Sequence, residues 1–266
     1  MVTGCTGFLG GAVVRELLAA GAEVVGLVRD RGMTVGLTGR VHIVRGRVED
    51  TFRIYSALAV YEATAVFHLA SANPNEPDHG TAAVVDAVRR YDPLTPIVMA
   101  RPGGAPLGVS SPVPLGVAQF AELFGGGDRK TFRVVPSTIL SLVTGDRTPL
   151  AGEGVARDFV FVRDAARAVL LLSESLASRS EPRVEALTFR SGWVLDDRAM
   201  AAAVRDVYDG RTPAVAPTEL TLNPLGWSPA VSLRDGLAET IDWYREFLRA
   251  RLFGTKPAGP PRRAAA

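Results

Sequence analysis

The amino-acid sequence predicts an α/β fold: a doubly wound parallel sheet with helices on both faces and a small C-terminal α+β lobe. Three observations lead there. The chain opens on strand, glycine turn, helix and strand within about 30 residues, one βαβ unit. Short apolar runs then alternate with amphipathic helical runs as far as Ala100. The 266 residues are 47% hydrophobic and 22% charged, which suits one soluble domain, or one with a small appended lobe, built on a large core.

Only Met1 and Val2 precede Thr3, so the first strand is stunted. In Thr3-Gly4-Cys5-Thr6-Gly7-Phe8-Leu9-Gly10 the glycines let the backbone turn tightly and approach a pyrophosphate. That group would rest on the free N–H groups of the helix that follows. All three glycines are expected to keep the phosphate space clear. Val13, Val14, Leu17 and Leu18 share one face of the helix, and Gly21 ends it. Cys5 reads as a small filler rather than a reactive thiol. Residues 23–28 form a buried second strand and 40–45 a third. Residues 50–61 have helical character, 65–70 read as a fourth strand, 80–90 as a helix and 96–100 as a fifth strand. His68 stands alone on an apolar strand and reads as a satisfied core histidine.

The wording TGCTGFLG, with threonine before the first glycine, resembles the extended short-chain dehydrogenase/reductases, the NAD-dependent nucleotide-sugar epimerases and 4,6-dehydratases. The resemblance implies a Rossmann-type domain with dinucleotide contacts from Gly4, Thr6, Gly7, Phe8, Leu9 and Gly10. It continues at VFHLA, where Leu69 and Ala70 would pass beside the cofactor. An acidic residue ending the second strand would accept the ribose hydroxyls of NAD, whereas an arginine there favours the 2′-phosphate of NADP. By resemblance the acidic position falls on Val28, with Arg29 beside it, so NADP is favoured. Asp30, one or two residues out of register, keeps NAD open. The family's adenine-contacting Asp is replaced by Arg47, next to Val48, the apolar member of that pair.

The resemblance also implies a catalytic helix after the fifth strand. There a Ser or Thr orients substrate, a tyrosine is the acid/base, and a lysine four residues on lowers its pKa and holds the nicotinamide ribose. The spacing puts both on one helical face. A tyrosine at its ordinary pKa of ~10 is a poor base without that cation. This chain has two lysines, Lys130 and Lys256, preceded four residues earlier by Gly126 and Leu252. None of its five tyrosines has a lysine or arginine four residues on. Arg101-Pro102-Gly103-Gly104 stands where the hydroxyl residue belongs, and residues 103–117 are expected to be loop. No catalytic residue is therefore assigned. His68, Glu122 or a partner chain could supply a substitute.

Resemblance resumes at Phe124-Gly125-Gly126-Gly127-Asp128, after a gap too short for the catalytic helix. FRVVPSTILSLVT (132–144) resembles the segment whose Val-Pro opens a helix over the nucleotide, which implies a substrate contact at Val135. The RDFVFV strand implies that Arg157 faces a substrate diphosphate; the alternative pairs it with Asp158 or Glu153. Residues 164–176 form a helix with Ala168, Leu171, Leu172 and Leu176 inward, and 186–190 a short strand. A helix over 196–208 is capped by Asp196 or Asp197, and one over 232–252 by Ser232. Trp227, in the family-like LGWxP at 225–229, is a packing residue. Residues 1–130 are expected to form the dinucleotide-binding domain. Residues 131–253 complete the sheet and form the substrate lobe, and 254–266 are a disordered tail.

Net charge is +2 with scattered basic residues, which excludes a nucleic-acid surface. One cysteine allows no disulfide framework and suits a reducing, cytoplasmic setting. Apolar runs are too short for a membrane span, and metal-ligand spacing is absent. The expected partner is a dinucleotide, NADP before NAD, and the resemblance admits a nucleotide sugar and a homodimer. The function that follows is an NAD(P)-binding, catalytically impaired member of the family. Its alternatives are an active epimerase or dehydratase with a non-standard base, a non-catalytic interaction subunit, and a truncated gene product.

Overall fold

A computed structural model describes residues 1–29, 39–70, 79–102, 111–145, 154–178, 181–218 and 223–253. Two compact units divide the chain, and the backbone passes between them repeatedly. The first comprises Met1–Ala121, Val162–Arg190 and Thr221–Ser228; the second comprises Glu122–Phe161, Ser191–Leu220 and Pro229–Ala266.

The first unit is built on a seven-stranded parallel sheet of order β3-β2-β1-β4-β5-β6-β9. The strands are β1 Val2–Thr3, β2 Val24–Val28, β3 Val41–Arg45, β4 Val66–His68, β5 Ile97–Pro102, β6 Leu115–Phe120 and β9 Val184–Thr188. The stunted first strand is central, pairing Val2 with Gly26 on one side and with Phe67 on the other. Its helices are α1 Phe8–Ala19, α2 Thr51–Val60, α3 His79–Tyr91 and α5 Val162–Ala177. Leu115 and Val117 of β6 join the core made by Ile54 and Leu58 of α2 and Val84 and Val88 of α3. A side chain added at Gly116, between them, would instead meet Leu172 and Leu176 of α5. Because alternate residues of a strand face opposite sides, helices cover both faces of β6. Burial on both faces explains why VVGLV and LGVAQF show no polar alternation.

That burial corrects one expectation. Residues 115–117 are strand, paired with β5 and β9, not loop. Pro114 and Gly116 signal a turn locally, but a two-sided buried position overrides them, and Gly116 is where α5 approaches closely. Residues 111–114 are irregular, and 103–110 lie outside the described residues. The α-amino group of Met1 is buried and donates to the Ala65 carbonyl at 2.7 Å. Trp227 is packing, edge-on to Phe189, with its indole N–H donating to the Asp164 carbonyl at 3.3 Å.

The second unit carries a three-stranded sheet of order β10-β8-β7, with β7 Glu122–Phe124, β8 Arg157–Phe161 and β10 Val194–Leu195. Its helices are α4 Val134–Thr144, α6 Asp197–Tyr208 and α7 Leu233–Phe253. Asp196 caps α6 by accepting from the Ala199 amide, and Ser232 caps α7 by accepting from the Asp235 amide. Asp158 joins its strand to the next segment. Its carboxylate accepts from the Ser191 amide, the Ser191 hydroxyl and the Gly192 amide. Residues 254–266 lie outside the described residues.

Candidate functional site

The turn between β1 and α1 shows why glycine recurs every third residue. Gly4 has φ +68°, and a Cβ there would stand 2.6 Å from the backbone of Leu69 and Ala70. Leu69 in turn donates its amide to the Thr3 carbonyl at 3.2 Å. The two strand-end residues, Leu69 and Ala70, and the turn are therefore one structure. Gly10 is buried in the first turn of α1, where a Cβ would lie 2.0 Å from the Gly4 carbonyl oxygen. Gly7 differs. Its φ of −78° suits any residue, its closest Cβ neighbour would be the Gly4 oxygen at 3.1 Å, and it is exposed. The expectation that all three glycines clear space for a ligand thus needs revision. Gly4 and Gly10 are required by contacts within the protein, and Gly7 is the one that leaves its outer side open.

Gly7 caps α1 without a side-chain bond, and no acidic residue occupies the first turn. The Gly11 amide bonds the Gly7 carbonyl at 2.8 Å, so the amides of Phe8, Leu9 and Gly10 precede the first intrahelical bond. Such N–H groups, with the positive end of the helix dipole, form a site for an anion. Thr6, Phe8 and Leu9 are half-buried around it. Cys5 is buried, its thiol pushed up by loss of solvent, which leaves it unreactive. His68 lies below the turn, 2.7 Å from the Thr3 hydroxyl through Nδ1 and 3.1 Å from the Thr81 hydroxyl through Nε2. It is buried and satisfied, as a core histidine should be.

Arg29 is exposed directly after β2, and Val48 is half-buried against the core below α2. Asp30 lies outside the described residues. In the second unit Val135 is buried in the first turn of α4, so only its backbone could meet a ligand there. Arg157 pairs with Asp197, and its guanidinium lies 5.8 Å from the Phe159 ring centroid. Of the two partners the sequence offered, Asp158 instead holds Ser191 and Gly192, and Glu153 lies outside the described residues.

Sequence reading did not find the charge network around Arg157. Arg133 stands 3.5 Å from Glu122 and 3.3 Å from Asp128. Burial raises the Glu122 carboxyl above the ordinary range, against the pull of Arg133 and Arg157. Tyr244 of α7 donates to the Asp128 carbonyl, and burial keeps its phenol protonated. These residues are scattered from 122 to 244, and the only local signal was the acid and base content of ELFGGGDRK. Among the described residues no group of three or more His, Cys, Asp or Glu could hold a metal, and no helix is long and apolar enough to cross a membrane.

The glycine turn and its βαβ frame match a known family model, the NAD dependent epimerase/dehydratase family, over residues 1–90. The match covers the first third of the chain. GDP-L-fucose synthase 1 of Arabidopsis thaliana is 33% identical to this chain over 115 residues, 39% of the chain. The match spans only 32% of that relative's length. The fold is shared more widely. A UDP-glucose 4-epimerase from Thermotoga maritima, solved with UDP-glucose, superposes with a TM-score of 0.72 at 20% identity, covering 93% of this chain and 98% of that one. A dTDP-glucose 4,6-dehydratase from Streptomyces venezuelae, DesIV, solved with NAD, gives 0.71 at 21% identity over 92% and 96%.

Proposed function

We propose that this chain binds NADP, or more weakly NAD, on the turn after β1, and that by itself it does not turn over nucleotide sugars at the rate of an intact epimerase or dehydratase. The turn supports binding. Gly7 is open, the first amides of α1 carry no side-chain cap, and Leu69 and Ala70 abut Gly4. Arg29 beside the end of β2 supports NADP. The sequence supports the second half, because no Tyr-x-x-x-Lys occurs in 266 residues. Positioned acid–base groups contribute about 10²–10⁴-fold, and cooperating members are lost as a unit. Val135 and Arg157 would contact a nucleotide sugar through the α4 backbone and a guanidinium freed from Asp197. A cytoplasmic setting and a homodimer belong to the same reading.

An active enzyme is the second reading, favoured by Glu122, a half-buried carboxyl with a raised pKa beside two arginines. Calorimetric titration with NAD and NADP tests binding. Mass analysis of UDP-, dTDP- and GDP-sugars incubated with protein and cofactor tests turnover. Binding without sugar conversion is expected. Multiple turnovers that vanish in Glu122→Gln would establish the second reading instead.

A further inference from the structure

Two arginines and three carboxylates meet in the second unit, and they do not balance. Each arginine has its own buried aspartate. Arg157 pairs with Asp197, whose side chain is 4% exposed. Arg133 stands 3.3 Å from Asp128, whose side chain is 3% exposed and also accepts from the Lys130 amide at 3.1 Å. Glu122 is the carboxylate left over. Its ion pair is with the same Arg133 nitrogen, at 3.5 Å, farther off than Asp128. Among the described residues Glu122 accepts no hydrogen bond, and its side chain is 23% exposed, so it can be reached from solvent.

We infer that Glu122 anchors an ammonium group of the ligand, and that the nucleotide sugar taken by this unit carries a free amine on its sugar ring. This rests on the nucleotide-sugar reading above. A half-buried carboxylate is satisfied by a proton, by a cation or by several donors. Desolvation raises Glu122 although Arg133 and Arg157 pull the other way, and Asp128 and Asp197 add to the rise. Each guanidinium is already matched by an aspartate, so the surplus negative charge remains on Glu122. An ammonium brings three donors and a full positive charge, whereas a sugar hydroxyl brings one donor and no charge. N-acetylation of the amine removes that charge. A diphosphate that draws Arg157 away from Asp197 leaves a second carboxylate uncompensated, which strengthens the demand for a cation.

The test is calorimetric titration of the full chain and its Glu122→Gln variant with UDP-glucosamine and with dTDP-4-amino-4,6-dideoxyglucose. Each is run beside its N-acetylated and its hydroxyl counterpart, at a pH where the free amine is protonated. The readout is the ratio of dissociation constants between an amine and its uncharged counterparts. At least one amine is expected to bind about tenfold more tightly, with the ratio falling to about one in Glu122→Gln. Glutamine keeps the size of the side chain, and circular dichroism checks that the variant folds. A ratio near one for both amines in the unmodified chain overturns the ammonium site while leaving the nucleotide-sugar reading intact. A preference that persists in Glu122→Gln assigns the amine to another group and overturns the site equally. Failure of every nucleotide sugar to bind the unmodified chain overturns both.

Discussion

The seven-stranded and three-stranded sheets are held by different forces. In the first, the strands supply buried valine, leucine, isoleucine and phenylalanine to helices on both faces, and the buried His68 is closed off by two threonine hydroxyls. In the second, ion pairs and charged hydrogen bonds are added to a buried core of Phe124, Phe159, Val160 and Phe161. Asp158 holds Ser191 and Gly192, Arg157 holds Asp197, and Arg133 lies between Glu122 and Asp128. Apolar burial is non-directional and degrades gradually, whereas a buried carboxylate that loses its partners, or the reverse, leaves groups unsatisfied at once. The first unit should therefore fail through sterics and the second through single polar atoms.

The largest effect is expected at Gly10→Ala. A Cβ 2.0 Å from the Gly4 oxygen forces α1 off the sheet, at a cost of about 4 kcal/mol or more in denaturant unfolding. Gly7→Ala sharpens the comparison. It should cost about 1 kcal/mol or less and yet abolish dinucleotide binding in a titration. Equal losses of stability in the two variants would contradict the separate roles assigned to these glycines.

Next in size is a pH effect on the first unit. Burial lowers the α-amino group of Met1 from 8.0 to about 5. Between those values the unfolded chain binds more protons, so stability is full above pH 8 and is lost as pH falls toward 5, by up to about 4 kcal/mol. Nα-acetylation removes the titrating group and should flatten this limb of the stability–pH curve.

Asp158→Ala probes the second unit. It strands the amides of Ser191 and Gly192 and should cost about 3 kcal/mol in chemical denaturation. Asp158→Asn, which keeps an acceptor oxygen, should recover part of it. The smallest effect carries the opposite pH sign to Met1. Because burial raises Glu122, its contribution is fully present below the ordinary 4.5 and is lost as pH rises through the raised value. Glu122→Gln should remove that decline while leaving the acid limb from Met1 unchanged. A Glu122→Gln curve superimposable on the unmodified one would show that the carboxyl is not desolvated.

The sequence alone determined the opening βαβ unit, the doubly wound order as far as β5, the caps of α6 and α7, and the packing role of Trp227. Each is encoded within a few residues: glycine spacing, apolar period, an Asp or Ser before a helix. Only the tertiary structure decided the rest. Pro114 and Gly116 look like breakers until β5, β9 and α5 are seen to enclose them. The three glycines of the turn look equivalent until the Leu69 backbone and the Gly4 carbonyl separate them. Arg157 finds Asp197, forty residues on, although no local spacing points to it. Local spacing reports how a segment packs against its own element. Charge partners are chosen by which elements meet, and no period in the sequence records that.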